Sequence, residues 1–166
     1  QKLLKCYNVV DYVTMPNPGQ VWSYIGGWLY QAHLKEIEDN VPEQLRSYYN
    51  SCALRMSIAL SSFGKDLKNE AGAMPIGAEA NADALGGKTH VIIRARDMAA
   101  YVQKLLGDPD YADGQDTGYC SPQPGDIIVF AGKGHAGMCP GDNISIGSFL
   151  TGPIWLINRA TLKDAE

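Results

Sequence analysis

The stretch Asn50-Ser51-Cys52-Ala53-Leu54-Arg55-Met56-Ser57-Ile58-Ala59-Leu60 constrains this chain more than any other, because a polar, aromatic loop turns there into an apolar helical run. Leu54, Ile58 and Leu60, with Met56 and Phe63 near them, predict a helix that buries most of its surface and stops at Gly64. Ser51 or Asn50 is its expected N-cap. Cys52 then falls in the first turn, where unpaired backbone N–H groups and the positive end of the helix dipole favour a thiolate. Two readings of Cys52 follow, a nucleophile or a buried structural thiol, since free cysteine is among the most buried residue types.

Size and charge narrow the possibilities. With 166 residues the chain is expected to form a single domain, 1–166, large enough to bury a core without a staple. Fourteen Lys and Arg against eighteen Asp and Glu leave no positive excess, and no basic run interleaves with aromatics, so nucleic acid is not an expected partner. No apolar stretch approaches the ~20 residues of a membrane span. The chain starts at Gln1 rather than Met, which suggests that a leader or tag precedes this numbering. Cys6, Cys52, Cys120 and Cys139 lack metal-site spacing, so neither a metal nor a cofactor is expected. With Cys52 set aside, the other three suffice for one disulfide and one spare thiol, which suits a protein working outside the cytoplasm.

Along the chain, Val9, Val10, Tyr12 and Val13 suggest a short extended segment ended by Met15-Pro16-Asn17-Pro18-Gly19. From Gln20 to about Asp39, Val21, Ile25, Trp28, Leu29 and Ala32 recur at three and four, predicting an amphipathic helix. Gly26-Gly27 within it either admits close packing or marks a break. His33 is expected on the helix surface. Tyr48 and Tyr49, just before the cysteine, either wall a substrate cleft or pack at the core edge.

Gly64 to Thr89 is rich in small and polar residues and is expected to be a long loop, a candidate lid or specificity element. His90-Val91-Ile92-Ile93 is a possible short strand, and Ala95 to Leu106, closed by Gly107, is a helix whose apolar face carries Met98, Tyr101, Val102 and Leu105. An acidic loop follows to Gln123. Then Pro124-Gly125-Asp126 leads into a buried strand, Ile127 to Ala131; a glycine turn precedes a second strand opening at His135, and Ile144 to Ser148 and Ile154 to Ile157 are further strand candidates. Helices followed by strands predict an α+β fold with N-terminal helices packed on a C-terminal antiparallel sheet.

A cysteine at a helix start, then Pro-Gly-Asp before an apolar strand and Gly134-His135-Ala136-Gly137 at the next, resembles the papain-like cell-wall amidases of the NlpC and CHAP kind. Within these, the block Asn50 to Leu60 looks like the type VI secretion amidase effectors, above all their fourth family. The resemblance spans roughly residues 20 to 160 and is carried by the cysteine block and the His135 strand. It implies a papain-like cysteine peptidase fold and an antibacterial effector that cuts peptidoglycan stem peptides between D-glutamate and the diamino acid. It also implies delivery into a competitor's periplasm and a cognate immunity protein that occludes the cleft. A disulfide among Cys6, Cys120 and Cys139 would be tolerated there.

The residues allow that chemistry on their own terms. A thiolate at Cys52 attacks an amide carbonyl when an imidazole, His135, takes its proton and later returns it to the leaving amine. The Cys52 N–H is one oxyanion donor; a second is not apparent from the sequence. The family places an acidic residue downstream of the histidine to orient the ring, which makes Asp142 the expected third member, with Asn143 and then Ser145 behind it. Pro-Gly-Asp-Asn is equally a plain turn, as is the Pro-Gly-Asp that contains Asp126. His90 is a rival base without the strand context. Two alternatives stay open: another thiol chemistry (deamidase, acyltransferase or housekeeping wall peptidase), and a non-catalytic binding domain with Cys52 merely buried.

Overall fold

The computed structural model describes residues 2–110, 127–132, 134–140 and 153–157. Five α-helices are followed by a three-stranded sheet: α1 (Lys2–Asn8), α2 (Pro18–Ile25), α3 (Gly27–Glu38), α4 (Cys52–Phe63) and α5 (Ala95–Leu106). A small antiparallel pair, β1 (Ala73–Pro75) and β2 (His90–Ile92), lies between α4 and α5. The larger sheet has the order β4-β3-β5, with β3 (Ile127–Ala131) antiparallel to both β4 (Ala136–Pro140) and β5 (Ile154–Ile157). The protein is therefore α+β.

Helix α4 runs through the middle, and all ten residues from Cys52 to Ser61 are buried. Its two sides feed two apolar clusters. Ala53, Met56, Ala59 and Leu60 pack with α1, α5 and the inner face of the large sheet, where Val129, Met138 and Trp155 meet them. Leu54 and Ile58 pack with Trp22, Ile25, Leu29, Ile76 and Leu85. Ser57 ties the helix to the small sheet, its hydroxyl donating to Ile92 O (2.7 Å) and accepting from Ile92 N–H (2.9 Å).

The long amphipathic pattern from Gln20 to Asp39 is two helices. Gly26 (φ 65°, ψ −154°) ends α2 and starts α3, a conformation that glycine adopts without strain. The pair also serves close packing, because a Cβ on Gly27 would come within 2.9 Å of Ala80, which bridges to Gly26. The glycines mark the break between the two helices, and the close approach they admit is to a bridge residue rather than to another helix.

The first fifteen residues depart from expectation. The segment read as extended, Val9 to Val13, is a run of turns, and helix α1 precedes it. Leu3 and Tyr7, four apart on α1, are buried and pack on α4, and Val10, just beyond the helix, is buried in the second cluster, while Val9 and Val13 are left exposed. The stretch 64–89 holds β1 and a 3₁₀ turn, Ala82–Leu85, and is tied to the core by fully buried Leu67, Ile76 and Leu85. Helix α5, its Gly107 stop and the strands β2, β3, β4 and β5 lie where the sequence pattern puts them. The candidate strand 144–148 is outside the described residues.

Replacing Ser57 by Ala should lower unfolding free energy by about 2 kcal/mol, because it strips partners from buried backbone groups of Ile92. Urea denaturation of the variant measures it.

Candidate active site

Cys52 is the first residue of α4, 2% exposed. Its helix start is built by its neighbours. Ser51 occupies the cap position, but its hydroxyl accepts Nε–H of Arg55 (2.9 Å) rather than capping the helix. The Asn50 side-chain oxygen accepts the Cys52 N–H at 3.4 Å, a long contact. The approach to the cysteine is also held. Glu36 accepts the N–H groups of Ser47 (2.8 Å) and Tyr48 (2.6 Å), His33 Nδ1–H donates to Tyr48 O (2.6 Å), and Trp22 Nε1–H donates to Tyr49 O (2.9 Å). Four donors and acceptors on α2 and α3 thus fix residues 47–49.

This overturns the surface placement of His33. It is 3% exposed and stacked among Trp22, Tyr30 and Tyr49, with centroid separations of 5.9, 6.2 and 6.1 Å. Aromatic neighbours from two helices and the incoming loop bury it, and sequence periodicity within one helix cannot register neighbours from elsewhere.

The two tyrosines diverge. Tyr48 packs edge-on against Trp22 and Trp28 in the second apolar cluster. Tyr49 faces an open groove of about 610 Å³ that it lines with Pro18, Glu43, Gln44, Arg46 and Asn50. Arg46 lies 5.1 Å over its ring. Asn50, which lines the groove, is also the residue whose side chain accepts the Cys52 N–H.

His135 lies in the turn between β3 and β4, where Gly132 N–H donates to His135 O (2.9 Å). Its ring is 5.3 Å from Phe130 and 6.0 Å from Tyr12. The next residue brings the two halves together, since the N–H of Ala136 is directed at the Cys52 sulfur. His90 is elsewhere engaged: it pairs with Pro75 on β2, and its Nδ1 meets Thr89 Oγ1 at 2.7 Å. Asp142, Asn143, Ser145, Asp126 and Cys120 lie outside the described residues. Of the other cysteines, Cys6 has a free thiol and Cys139 is buried on β4. Among the described residues no three His, Cys, Asp or Glu side chains are placed to hold a metal ion, and no helix is long and apolar enough to cross a membrane.

Opposed forces act on the thiol. Burial raises its pKa above the ordinary 9.0, while N–H groups of Ala136, Ala53 and Cys52 itself, and the charge of Arg55, pull it down. Burial wins. The pull expected from the helix start is present, but the resting thiol stays protonated at neutral pH. The His135 ring is held below its ordinary 6.5, first by desolvation beside its aromatic neighbours and then by Arg55. Both shifts favour the uncharged forms, thiol and imidazole.

Two residues near this pair were not singled out from sequence. Arg55 and Tyr12 stand together, the guanidinium carbon 3.9 Å over the tyrosine ring. The signal was there for Arg55, a lone charge inside an apolar helical run. For Tyr12 there was none, because its neighbours are distant in sequence.

Comparison with known proteins supplies the context. Residues 48–143 match the family described as type VI secretion system (T6SS), amidase effector protein 4. The effector Tae4 in the Tae4–Tai4 effector–immunity complex from Enterobacter cloacae is structurally similar, with a TM-score of 0.60 and 19% identity over 94% of this chain and 98% of that one. The uncomplexed Enterobacter cloacae Tae4 gives 0.59 and 19%, over 95% and 94%. The Tae4/Tai4 system from Salmonella typhimurium gives 0.55 and 20%, over 92% of each chain. At these identities the structures establish a shared fold. No curated relative matches in sequence.

An NMR titration of the His135 ring should show a midpoint below 6.5. Because the folded value is depressed, the associated stability is complete above pH 6.5 and is lost as pH falls through the folded midpoint. Unfolding free energies measured from pH 7 downward should decline across that window.

Proposed function

Because this chain belongs to the family of type VI secretion system amidase effector protein 4, we propose that it hydrolyses peptidoglycan stem peptides with Cys52 as nucleophile and His135 as general acid and base. The observation that carries the reading is the packing of α4, which Cys52 opens, on β4, which directly follows His135, with the Ala136 N–H among the groups that favour the Cys52 thiolate. A buried cysteine opening a helix and a histidine in the turn of the sheet that packs on that helix support a papain-like reading.

In the mechanism, the neutral His135 imidazole takes the Cys52 proton as sulfur attacks the amide carbonyl carbon. The C–N bond breaks as the imidazolium returns that proton to the leaving amine, leaving a thioester. Water, deprotonated by His135, then attacks the thioester carbonyl; the C–S bond breaks, giving a carboxylate and the restored thiol. Generating the thiolate only when the base is beside it suits a buried sulfur whose burial disfavours charge. The developing oxyanion falls to the Cys52 N–H, which Asn50 holds loosely at 3.4 Å and can yield to a substrate carbonyl.

The finer assignments extend the family relation. The bond is taken as that between D-glutamate and the diamino acid, the site of action as the periplasm of a target bacterium, and Asp142 as the residue that orients His135. The Tyr49 groove beside Asn50 is the entry for the stem peptide. An immunity protein of the Tai4 kind, seen on the Enterobacter cloacae and Salmonella typhimurium effectors, is the cognate partner.

Cys52→Ala and His135→Ala should each abolish release of new amino groups from purified peptidoglycan while leaving the circular dichroism spectrum unchanged. Mass spectrometry of wild-type products should show cleavage after D-glutamate. Turnover retained by either variant would sink the reading, and ammonia or a transferred acyl group in place of a new amine would assign a different thiol chemistry. In the same assay Tyr49→Ala should raise KM roughly tenfold, the size of one lost aromatic contact. Tyr48→Ala should act on stability instead.

A further inference from the structure

Arg55 is the one charged side chain in the buried run of α4, and it is 0% exposed. Its Nε–H donates to Ser51 Oγ (2.9 Å), and Nη1 donates to both Val10 O and Met15 O (2.7 Å each). Nη2 is buried without a hydrogen-bond partner. Among the described residues no carboxylate lies within ion-pair distance of it; the ion pairs there are Lys35–Asp39 and Lys104–Glu70. A buried cation without a counter-ion is costly, and an apolar side chain of similar length is generally the more stable choice at such a position. The cost points to a use beyond packing.

The contacts show what that use is. Two carbonyls five residues apart converge on one nitrogen, so the guanidinium closes segment 10–15 into a loop against α4. Tyr12, in that loop, stands with its ring 3.9 Å from the guanidinium carbon and 6.0 Å from the His135 ring. Arg55 is also one helical turn from Cys52. The titratable groups acting on the cysteine and the arginine are Tyr7 from α1, Asp11 and Tyr12 from the following segment, and His135 from the β3–β4 turn. The tyrosines are neutral at working pH. The Asp11 carboxylate is engaged by Val13 and Thr14 N–H groups, which leaves Arg55 as the fixed cation of the site.

We propose that Arg55 is a positioning residue for the reaction above, its buried guanidinium holding Tyr12 against the His135 ring and supplying the fixed positive charge that the Cys52 thiolate faces. The same charge disfavours a proton on His135, so it favours thiolate and keeps the imidazole free to act as base. This inference rests on the cysteine–histidine reading of the site.

The test measures the thiol directly. Wild type, Arg55→Met and Arg55→Lys are alkylated with iodoacetamide between pH 7 and 11.5, and modification at Cys52 is followed by peptide mass spectrometry; kcat and KM are measured on purified peptidoglycan fragments. Arg55→Met should move the alkylation midpoint up by about one unit and lower kcat ~100-fold with little change in KM. Arg55→Lys, which keeps the charge but not the fork, should restore the midpoint and only part of kcat. Tyr12→Leu, at a 42% exposed position, should leave the alkylation midpoint in place and lower kcat ~10-fold, and it carries the test if the methionine variant does not fold. A wild-type midpoint in folded Arg55→Met, or wild-type kcat in Tyr12→Leu, overturns the proposal. Failure of the underlying reading looks different: Cys52→Ala would still turn over peptidoglycan, whatever the thiol titration shows.

Discussion

The burial of α4 between two apolar clusters is the interaction on which the rest depends. Leu54 and Ile58 face one cluster and Met56 and Leu60 the other, each contributing roughly 2 kcal/mol by leaving water. Their sum exceeds the several kcal/mol that an unpaired buried guanidinium costs, so one helix can carry both a core and Arg55. A helix fixed on two sides also has a fixed first turn. Cys52 takes its position from that rigidity, not from the loop before it.

The site's electrostatics follow from the same burial. Taking the thiol out of water disfavours its charged form more than the N–H groups of Ala136, Ala53 and Cys52 and the Arg55 cation favour it. The consequence is a resting state with no separated charge and a histidine that stays a free base near neutrality.

Much of this was legible residue by residue. The helix 95–106 and its glycine stop could be read because its apolar period and its terminator are both local signals, and the β3–β4 hairpin because two apolar runs flank a glycine turn. Gly26-Gly27 announced a special backbone, though not that a break and a close approach to Ala80 would coincide. The misreadings have one cause. Val9, Val10, Tyr12 and Val13 look like an extended segment, yet they form turns whose Val10 carbonyl is held by Arg55 of α4. His33 looks like a surface residue of an amphipathic helix until Trp22 and Tyr49 close over it.

By itself the sequence determined the α+β order of the elements, a cysteine opening a buried helix and a histidine just before a strand, since these depend on side chains within a few positions of one another. Tertiary structure decided what surrounds them. It brought the N–H after His135 to the Cys52 sulfur, set Tyr12 between Arg55 and His135, and sent Tyr48 to the core but Tyr49 to a groove. Those outcomes depend on contacts between segments far apart in the chain, and on whether burial or a nearby charge prevails at a given atom, which only the assembled packing settles.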